Sequence, residues 1–498
     1  MLAWTIYISF LGALALMLPG VPARAARGIA LSAAIAGFTV TVCELLRSAN
    51  GAMVTIVDRS WVPSLGIEYH LAADGISLVL VLLTGIVAIA GVLFSWNIEH
   101  RSKEFFALYL ALIGGVYGVF LSADLFLLFV FYEIAIIPKY FLIAIWGSTR
   151  REYAAMKLAL YSLVGSAMVL IALIAAYVVS GAKTMNLLAL SKFQFPLHFQ
   201  MWAFPLMFVG FGILAGLWPF HTWAPTGHVA APTAASMLLA GVVMKLGAYG
   251  CLRAMTLFPR GLDPWGFKVL GLASWQDVFG LLAVIGIVYG AMVALVQQDF
   301  KFVIGYSSVS HMGFVLLGLM TLDRIGLTGA VLQMFSHGVL AALLFAVVGR
   351  MVYDRTHTRE LAALSKLHLN KAIPFAAVTF TLAAIASVGM PGFSGFVAEL
   401  QVLVGTWSAF PIYVVCAGVG IAISVAYAWR AMQKAFFSDI GTESTTPSLP
   451  PISMPERLGA VLLITASLAV GLYPQWLLNL VIPALNSPLF DSLRKGHW

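Results

Sequence analysis

Charged residues are scarce in this sequence, because Asp, Glu, Lys and Arg make up only 10% of its 498 residues. A soluble protein carries about a quarter charged residues, since its surface must be compatible with water. In this chain, hydrophobic residues (Ala, Val, Ile, Leu, Met, Phe, Trp, Tyr and Cys) make up 61% of the sequence, and the mean hydropathy is +0.97. The composition therefore excludes an ordinary globular enzyme and predicts a membrane protein without a large soluble domain.

Cysteine is also rare, and its positions exclude the common metal centres. Cys43, Cys251 and Cys416 lie far apart in apolar tracts, with no CxxC pair and no nearby histidine. Neither a zinc site nor an iron–sulfur cluster is predicted from such spacing, so no metal and no redox cofactor are expected in this chain. No loop carries a nucleophile elbow or a phosphate-binding glycine motif, which disfavours a membrane enzyme with its own active site.

The basic residues indicate topology rather than nucleic-acid binding. The net charge is +8, but Lys and Arg occur in short runs between apolar segments. Lys and Arg are more numerous in the connections on one side of the membrane than in those on the other. The positive-inside rule assigns the side with more basic residues to the cytoplasm. Both termini are therefore predicted outside the cytoplasm, and the first apolar run is interpreted as a retained span rather than a cleaved signal.

The apolar tracts predict an all-α polytopic fold of about fourteen spans, each of roughly 20 residues. They lie near residues 4–20, 27–47, 74–95, 105–121, 124–146, 155–180, 202–222, 234–257, 277–298, 302–321, 326–352, 373–403, 410–434 and 457–480.

Two of these spans contain helix-breaking residues. Pro219, Pro225 and Pro232 fall at the end of the seventh span, and the Gly-Met-Pro-Gly segment at 389–392 interrupts the twelfth. Proline inside a helix removes a backbone hydrogen bond and clashes with the preceding turn. Paired breaks in corresponding positions are typical of transporters built from internal repeats, with the transport site at the breaks. The alternative is that the prolines only kink two helices for packing.

Three ionisable residues lie deep within predicted spans. Glu133 is midway along the fifth, Lys245 is equally deep in the eighth, and Glu399 follows the second break. A charge at the centre of a span costs about 2.5–3.5 kcal/mol, so each needs a reason. Burial favours the neutral form of such groups, which makes proton exchange near neutral pH possible. Three of them together favour a proton path over structural ion pairs.

The histidines are candidate relay groups, because imidazole titrates near neutral pH. His337 lies within an apolar helix, and His311 follows a serine-rich stretch. For both, a hydrogen-bonded packing role is the alternative. His221 and His228 flank the first break, where they are expected to satisfy freed carbonyls rather than to bind a metal.

Other charges have simpler interpretations. Lys139 follows Pro138 and lies six positions after Glu133, so it can either approach that carboxylate or extend its amine to the cytoplasmic interface. Asp299 and Lys301 are placed at a span end, in the polar headgroup zone.

Four motifs together resemble a known family. They are Phe-Tyr-Glu-Ile-Ala-Ile-Ile-Pro at 131–138, Pro-Phe-His-Thr-Trp at 219–223 with Ala-Pro-Thr at 231–233, Met-Lys-Leu-Gly-Ala-Tyr-Gly at 244–250, and the 298–313 segment that ends in Ser-Ser-Val-Ser-His-Met-Gly. This set resembles subunit M, or chain 4, of the respiratory NADH:quinone oxidoreductase, complex I. The resemblance runs from about residue 103 to residue 434. Sodium/proton antiporter and membrane hydrogenase subunits share its looser parts.

The resemblance implies a fold, a division of the chain and a set of partners. It implies two inverted repeats of about five helices each, with N-terminal spans at 1–100, a first repeat at 101–257 broken near 216–233, a second repeat at 277–436 broken near 389–395, and a C-terminal span and tail at 457–498. It also implies proton translocation in a bacterial inner membrane, beside neighbouring antiporter-like subunits. NADH, FMN, iron–sulfur clusters and quinone would bind to other subunits.

The resemblance also implies roles for particular residues. Glu133 would be the fifth-span carboxylate, Lys245 the central lysine, His337 a linking group and Glu399 the group on the exit side. The family's seventh-span lysine is replaced by Leu214, and an acidic residue often found near the first break is replaced by Ala230.

The missing lysine leaves Glu133 without its usual partner. We expect Lys139, which stands where the family usually has an uncharged residue, to supply that cation. The alternatives are a subunit of a cation/proton antiporter or membrane hydrogenase, and a paralogue that serves only as a non-pumping scaffold.

Overall fold

The computed structural model describes residues 1–47, 51–268, 270–438 and 448–497. Within these residues, twelve helices are long and apolar enough to cross a membrane. They are Ala23–Arg47, Gly75–Phe94, Ser102–Leu121, Leu125–Trp146, Arg151–Ser180, Leu197–Ala230, Thr233–Leu257, Trp275–Val296, Phe300–Met320, Arg324–Thr356, Pro411–Phe436 and Met454–Leu472. The polytopic helical fold is thereby confirmed, whereas the predicted span number and the two repeats remain predictions.

Shorter helices complete the described chain. Three of them are apolar: Ala3–Met17, Pro374–Ser387 and Gln475–Leu485. The others are Leu187–Lys192, Leu361–Leu364, Leu369–Ala372, Ser394–Ala409 and Asp491–His497.

A β-hairpin connects the second and third predicted spans, and the sequence did not predict it. Strand β1, Val54–Val62, pairs antiparallel with strand β2, Ile67–Ala73. Most of β1 is exposed, whereas the second half of β2 is buried against the helices. Gly66 closes the turn with φ of 62°, a left-handed conformation that glycine adopts without strain.

The two predicted breaks each interrupt a helix. At the first break, the helix Leu197–Ala215 ends and Gly216 turns the chain with φ of 84°, before a helix resumes at Trp223–Ala230. At the second, Pro374–Ser387 and Ser394–Ala409 are separated by a turn that contains Gly389 and Gly392, both with positive φ. Each break exposes backbone groups inside the protein, where side chains must satisfy them.

The core is built around three helices that are buried along nearly their whole length. In the helices Thr233–Leu257 and Arg324–Thr356, the whole of the most apolar stretch is buried, and in Gly75–Phe94 almost all of it is. In contrast, only 28% of the most apolar stretch is buried in Ala23–Arg47 and in Pro411–Phe436, as expected of helices that face lipid or other subunits. The deep lysine Lys245 is therefore carried by a central helix.

Candidate functional site: a buried polar row

Lys245 is held in place by an irregularity of its own helix. The helix Thr233–Leu257, here called the Lys245 helix, contains a π-helical turn at Leu239–Val243. A π turn shifts the hydrogen-bond pattern and leaves carbonyl oxygens available. The Lys245 amine, which is fully buried, donates to the Ala240 carbonyl at 2.5 Å and lies 2.8 Å from Nδ1 of His337.

Two glycines make this lysine–histidine contact possible. His337 lies on the helix Arg324–Thr356, the His337 helix, which crosses the Lys245 helix where Gly241 meets Gly338. A Cβ atom on Gly338 would lie 2.6 Å from the Gly241 carbonyl oxygen, and one on Gly241 would lie 2.9 Å from the Gly338 oxygen. Small residues let two helices approach this closely within a membrane.

The contact continues from His337 to Glu399. The rings of His337 and His311 are stacked with centroids 5.5 Å apart, and Nδ1 of His311 lies 3.3 Å from Oε1 of Glu399. The Gln333 amide nitrogen lies 3.5 Å from both His311 Nδ1 and the same carboxylate oxygen. Lys245, His337, His311 and Glu399 thus form one continuous series, the buried polar row.

The polar row has the properties that proton transfer requires. Its four residues are at most 6% exposed. Nε2 of His337 and Nε2 of His311 have no hydrogen-bond partner. Both residues line a cavity of about 10 Å³, which is room for one water molecule. An imidazole accepts a proton on one ring nitrogen and releases one from the other. The arrangement can therefore pass a proton from Lys245 to Glu399.

Glu399 ends the row at the second break. A Cβ on Gly389 would lie only 2.8 Å from Oε2 of Glu399, so the absence of a side chain there lets the carboxylate reach the interrupted backbone. Three of the predicted site residues, Lys245, His337 and Glu399, thus come together, and His311 connects them.

Glu133 and Lys139 occupy a separate site on the helix Leu125–Trp146. Lys139 is 1% exposed, so its amine does not extend to the protein surface. Neither the Lys139 amine nor Oε1 of Glu133 has a hydrogen-bond partner, although both are buried. The two charges act on each other, and Ser166 lies beside the carboxylate. The amine nitrogen of Lys139 and the carboxylate oxygens of Glu133 are more than 4.0 Å apart, which is too far for an ion pair.

The first break is held by groups that the sequence did not assign to it. The Lys301 amine donates to the Ala231 carbonyl at 2.9 Å and to the Val229 carbonyl at 3.3 Å. Arg359 also donates to Val229, at 3.2 Å. Lys301 lies at the start of the helix Phe300–Met320, which is the predicted span end, but it is only 3% exposed and is therefore buried within the protein.

The two histidines at this break have other surroundings than expected. Both ring nitrogens of His228 are buried without a hydrogen-bond partner, so the expectation that this imidazole satisfies freed carbonyls is wrong. His221 packs edge-on against Tyr289, with ring centroids 5.2 Å apart.

Comparison with known proteins identifies the family. The family model described as NADH:quinone oxidoreductase/Mrp antiporter, transmembrane, matches residues 122–424. The chain belongs to this NADH:quinone oxidoreductase/Mrp antiporter family. The matched segment includes the polar row, both breaks and the Glu133–Lys139 site.

Individual members of the family align over most of the chain. Subunit M of the NADH-quinone oxidoreductase of Rhodobacter capsulatus is 36% identical over 478 residues, which cover 93% of this chain and 90% of the relative. A chain 4 of the NAD(P)H-quinone oxidoreductase of Thermosynechococcus vestitus is 35% identical over 92% of this chain and 86% of its own length.

Solved structures of the family share the fold. A chain of respiratory complex I from Thermus thermophilus superposes with a TM-score of 0.88 at 27% identity, covering all of both chains. A chain of the Mrp complex from Dietzia superposes with a TM-score of 0.83 at 22% identity, covering 100% of this chain and 98% of its own, which shows a shared fold alone.

Proposed function

We propose that this chain is a proton-translocating, antiporter-like membrane subunit of an NADH:quinone oxidoreductase. The observation that carries the proposal is the continuous buried polar row from Lys245 to Glu399. A buried row of titratable groups is expensive within a membrane and marks a proton path. The proposal is also supported by the subunit M and chain 4 relatives, whose names place them in quinone oxidoreductases.

The proposed subunit acts together with other proteins. Neighbouring antiporter-like subunits are its partners in a bacterial plasma membrane. Other subunits of the complex would bind NADH, FMN, iron–sulfur clusters and quinone and carry the electrons. The part of this chain is to move protons in response to quinone reduction elsewhere, and both termini are placed outside the cytoplasm on the basic-residue bias.

The proton moves along the row in single transfers. The Lys245 ammonium gives a proton to Nδ1 of His337, and the imidazole releases its other ring proton towards His311. His311 passes a proton to the Glu399 carboxylate, 3.3 Å away, and Glu399 releases it at the second break. Each step moves one proton. The row returns to its starting state when Lys245 is protonated again and each imidazole has turned over, which brings its remaining proton back to the original side.

Glu133 and Lys139 are the proposed control of this transfer. With Leu214 in place of the family lysine, Lys139 is the buried cation that acts on Glu133. Since the Lys139 amine and Oε1 of Glu133 have no hydrogen-bond partner, a small movement can close or open the pair. The family resemblance implies that such a closed pair lowers the proton affinity of Lys245, because the carboxylate charge is then neutralised.

The experiment that tests the proposal is the proton-to-electron ratio of the whole complex carrying Lys245→Ala. The complex is reconstituted in vesicles, and proton uptake and NADH oxidation are measured together. We expect a lower ratio, with Lys366→Ala, an exposed lysine, as the matched control. An unchanged ratio for Lys245→Ala means that the chain is a scaffold.

A subunit of a cation/proton antiporter is the second candidate, because the Mrp complex chain has the same fold. Neighbouring genes separate the two functions. NADH-oxidising and quinone-binding subunits support the first, and antiporter partners support the second.

A further inference from the structure

The polar row explains how a proton leaves Lys245 but not how one reaches it. A cavity of about 300 Å³, here called the vestibule, opens on the face predicted to be cytoplasmic. Exposed Glu99 and His100 lie at its mouth, and Arg350 and Asp354 line its wall. Lys301 also lines the vestibule although it is almost fully buried, so a space that admits water reaches this side chain.

Lys301 is bound to the broken helix by all the donors it has. Its amine is within reach of the Val229 and Ala231 carbonyls and of Oγ of Ser236, 3.4 Å away. An ammonium group has three N–H donors, and these three acceptors account for them. Ser236 itself donates to the His228 carbonyl at 2.7 Å, so one serine side chain connects Lys301 to His228.

His228 is near both Lys301 and the polar row. The charges of both Lys245 and Lys301 act on its imidazole, and His337 is within range of it as well. Trp223 and Phe345 pack against the ring, with centroids 5.9 and 5.4 Å away. Both ring nitrogens nevertheless remain without a partner in a fully buried position. Such orphaned nitrogens are costly unless water or a transferred proton meets them.

We infer that Lys301 is the proton-uptake residue of this chain, which takes protons from the vestibule and passes them through His228 to Lys245. This inference rests on the proposed function. One proton leaves the Lys301 ammonium for one ring nitrogen of His228, and the proton on the other ring nitrogen goes to the Lys245 amine. Lys301 then takes a proton from vestibule water. His228 makes no direct hydrogen bond to either lysine, so a water bridges each transfer. The Lys301 N–H that faces Oγ of Ser236 at 3.4 Å, the longest of its three contacts, turns to that water.

The competing explanation is a structural one. A cation near the carboxyl end of a helix stabilises its free carbonyls, and Arg359 does the same at Val229. Under that explanation, Lys301 holds the first break in shape and never releases its proton. A permanently charged side chain at position 301 would then hold the first break equally well.

Arginine at this position separates the two explanations. Lys301→Arg keeps the positive charge and the donors to Val229 and Ala231, but arginine does not give up its proton in proteins. The whole complex carrying Lys301→Arg is reconstituted in vesicles beside Lys245→Ala and the exposed control Lys366→Arg. The amount of assembled complex, NADH oxidation with an uncoupler, and the proton-to-electron ratio are measured for each.

We expect Lys301→Arg to assemble and to lower the proton-to-electron ratio as far as Lys245→Ala does, with Lys366→Arg at the wild-type ratio. A wild-type ratio for Lys301→Arg overturns the inference and leaves Lys301 a clamp. If Lys245→Ala also keeps the wild-type ratio, the proposed function itself fails.

A second variant covers a failure to fold. If Lys301→Arg does not assemble, Lys301→Gln, which keeps an N–H donor for the carbonyls but cannot be protonated, is judged by the same ratio. If neither assembles, the side chain is needed for structure, and the inference is rejected.

Discussion

Replacing Gly338 by alanine is expected to break the contact between Lys245 and His337 without removing any polar group. The added Cβ would lie 2.6 Å from the Gly241 carbonyl oxygen, whereas ordinary contacts begin at 3.4 Å. The helices must therefore separate by the difference, 3.4 − 2.6, or about 0.8 Å. If they move as rigid bodies, the Lys245–His337 distance grows from 2.8 Å to about 3.6 Å, which is beyond a hydrogen bond. Overpacking of this kind costs about 1–3 kcal/mol.

The assay compares proton pumping with assembly. The variant complex is purified, the amount of this subunit is measured, and the proton-to-electron ratio is determined in vesicles. Gly338→Ala should assemble at a reduced level and pump at a lower ratio per complex. Gly418→Ala is the matched control, because no atom lies within 4 Å of the Cβ it would add. A wild-type ratio for Gly338→Ala would show that proton transfer does not depend on the close approach of the two helices.

Two further predictions concern the remaining buried charges. Lys139→Met should abolish coupled pumping while the complex still assembles, because Glu133 loses the cation that acts on it; pumping at the wild-type ratio would refute this. Asp74→Ala should lower the amount of folded subunit, since Asp74 pairs with the fully buried Arg253 at 2.6 Å and an uncompensated buried charge costs about 3–5 kcal/mol. A pulse-chase measurement of subunit lifetime checks it, and Asp263→Ala, which removes a pair at an exposed arginine, should leave the lifetime unchanged.

The scarcity of charge made the deep residues visible in the sequence. Lys245 and Glu399 stand out because each interrupts a long apolar tract, and the two breaks are marked by proline and glycine. These features depend on local composition, and the helices end where such residues demand it.

The contacts of the site depend on packing that local sequence does not encode. Lys245 and His337 are 92 residues apart, and their contact needs a π turn in one helix and a pair of facing glycines. Lys301 follows Asp299 at the start of a helix, a position typical of a membrane surface, but the first break folds over it and buries it. The sequence did not predict the hairpin of β1 and β2, because it lies in a connection between two strongly apolar tracts, and only the apolar tracts were assigned a structure.

The most direct test of the account is the proton-to-electron ratio of the reconstituted complex with Lys245→Ala. Proton movement and NADH oxidation are recorded in the same vesicles, with Lys366→Ala as the control and with the content of this subunit shown to be normal. The account predicts a ratio below the wild-type value for Lys245→Ala alone. An equal ratio in wild type, control and Lys245→Ala would contradict the claim that protons pass through this chain.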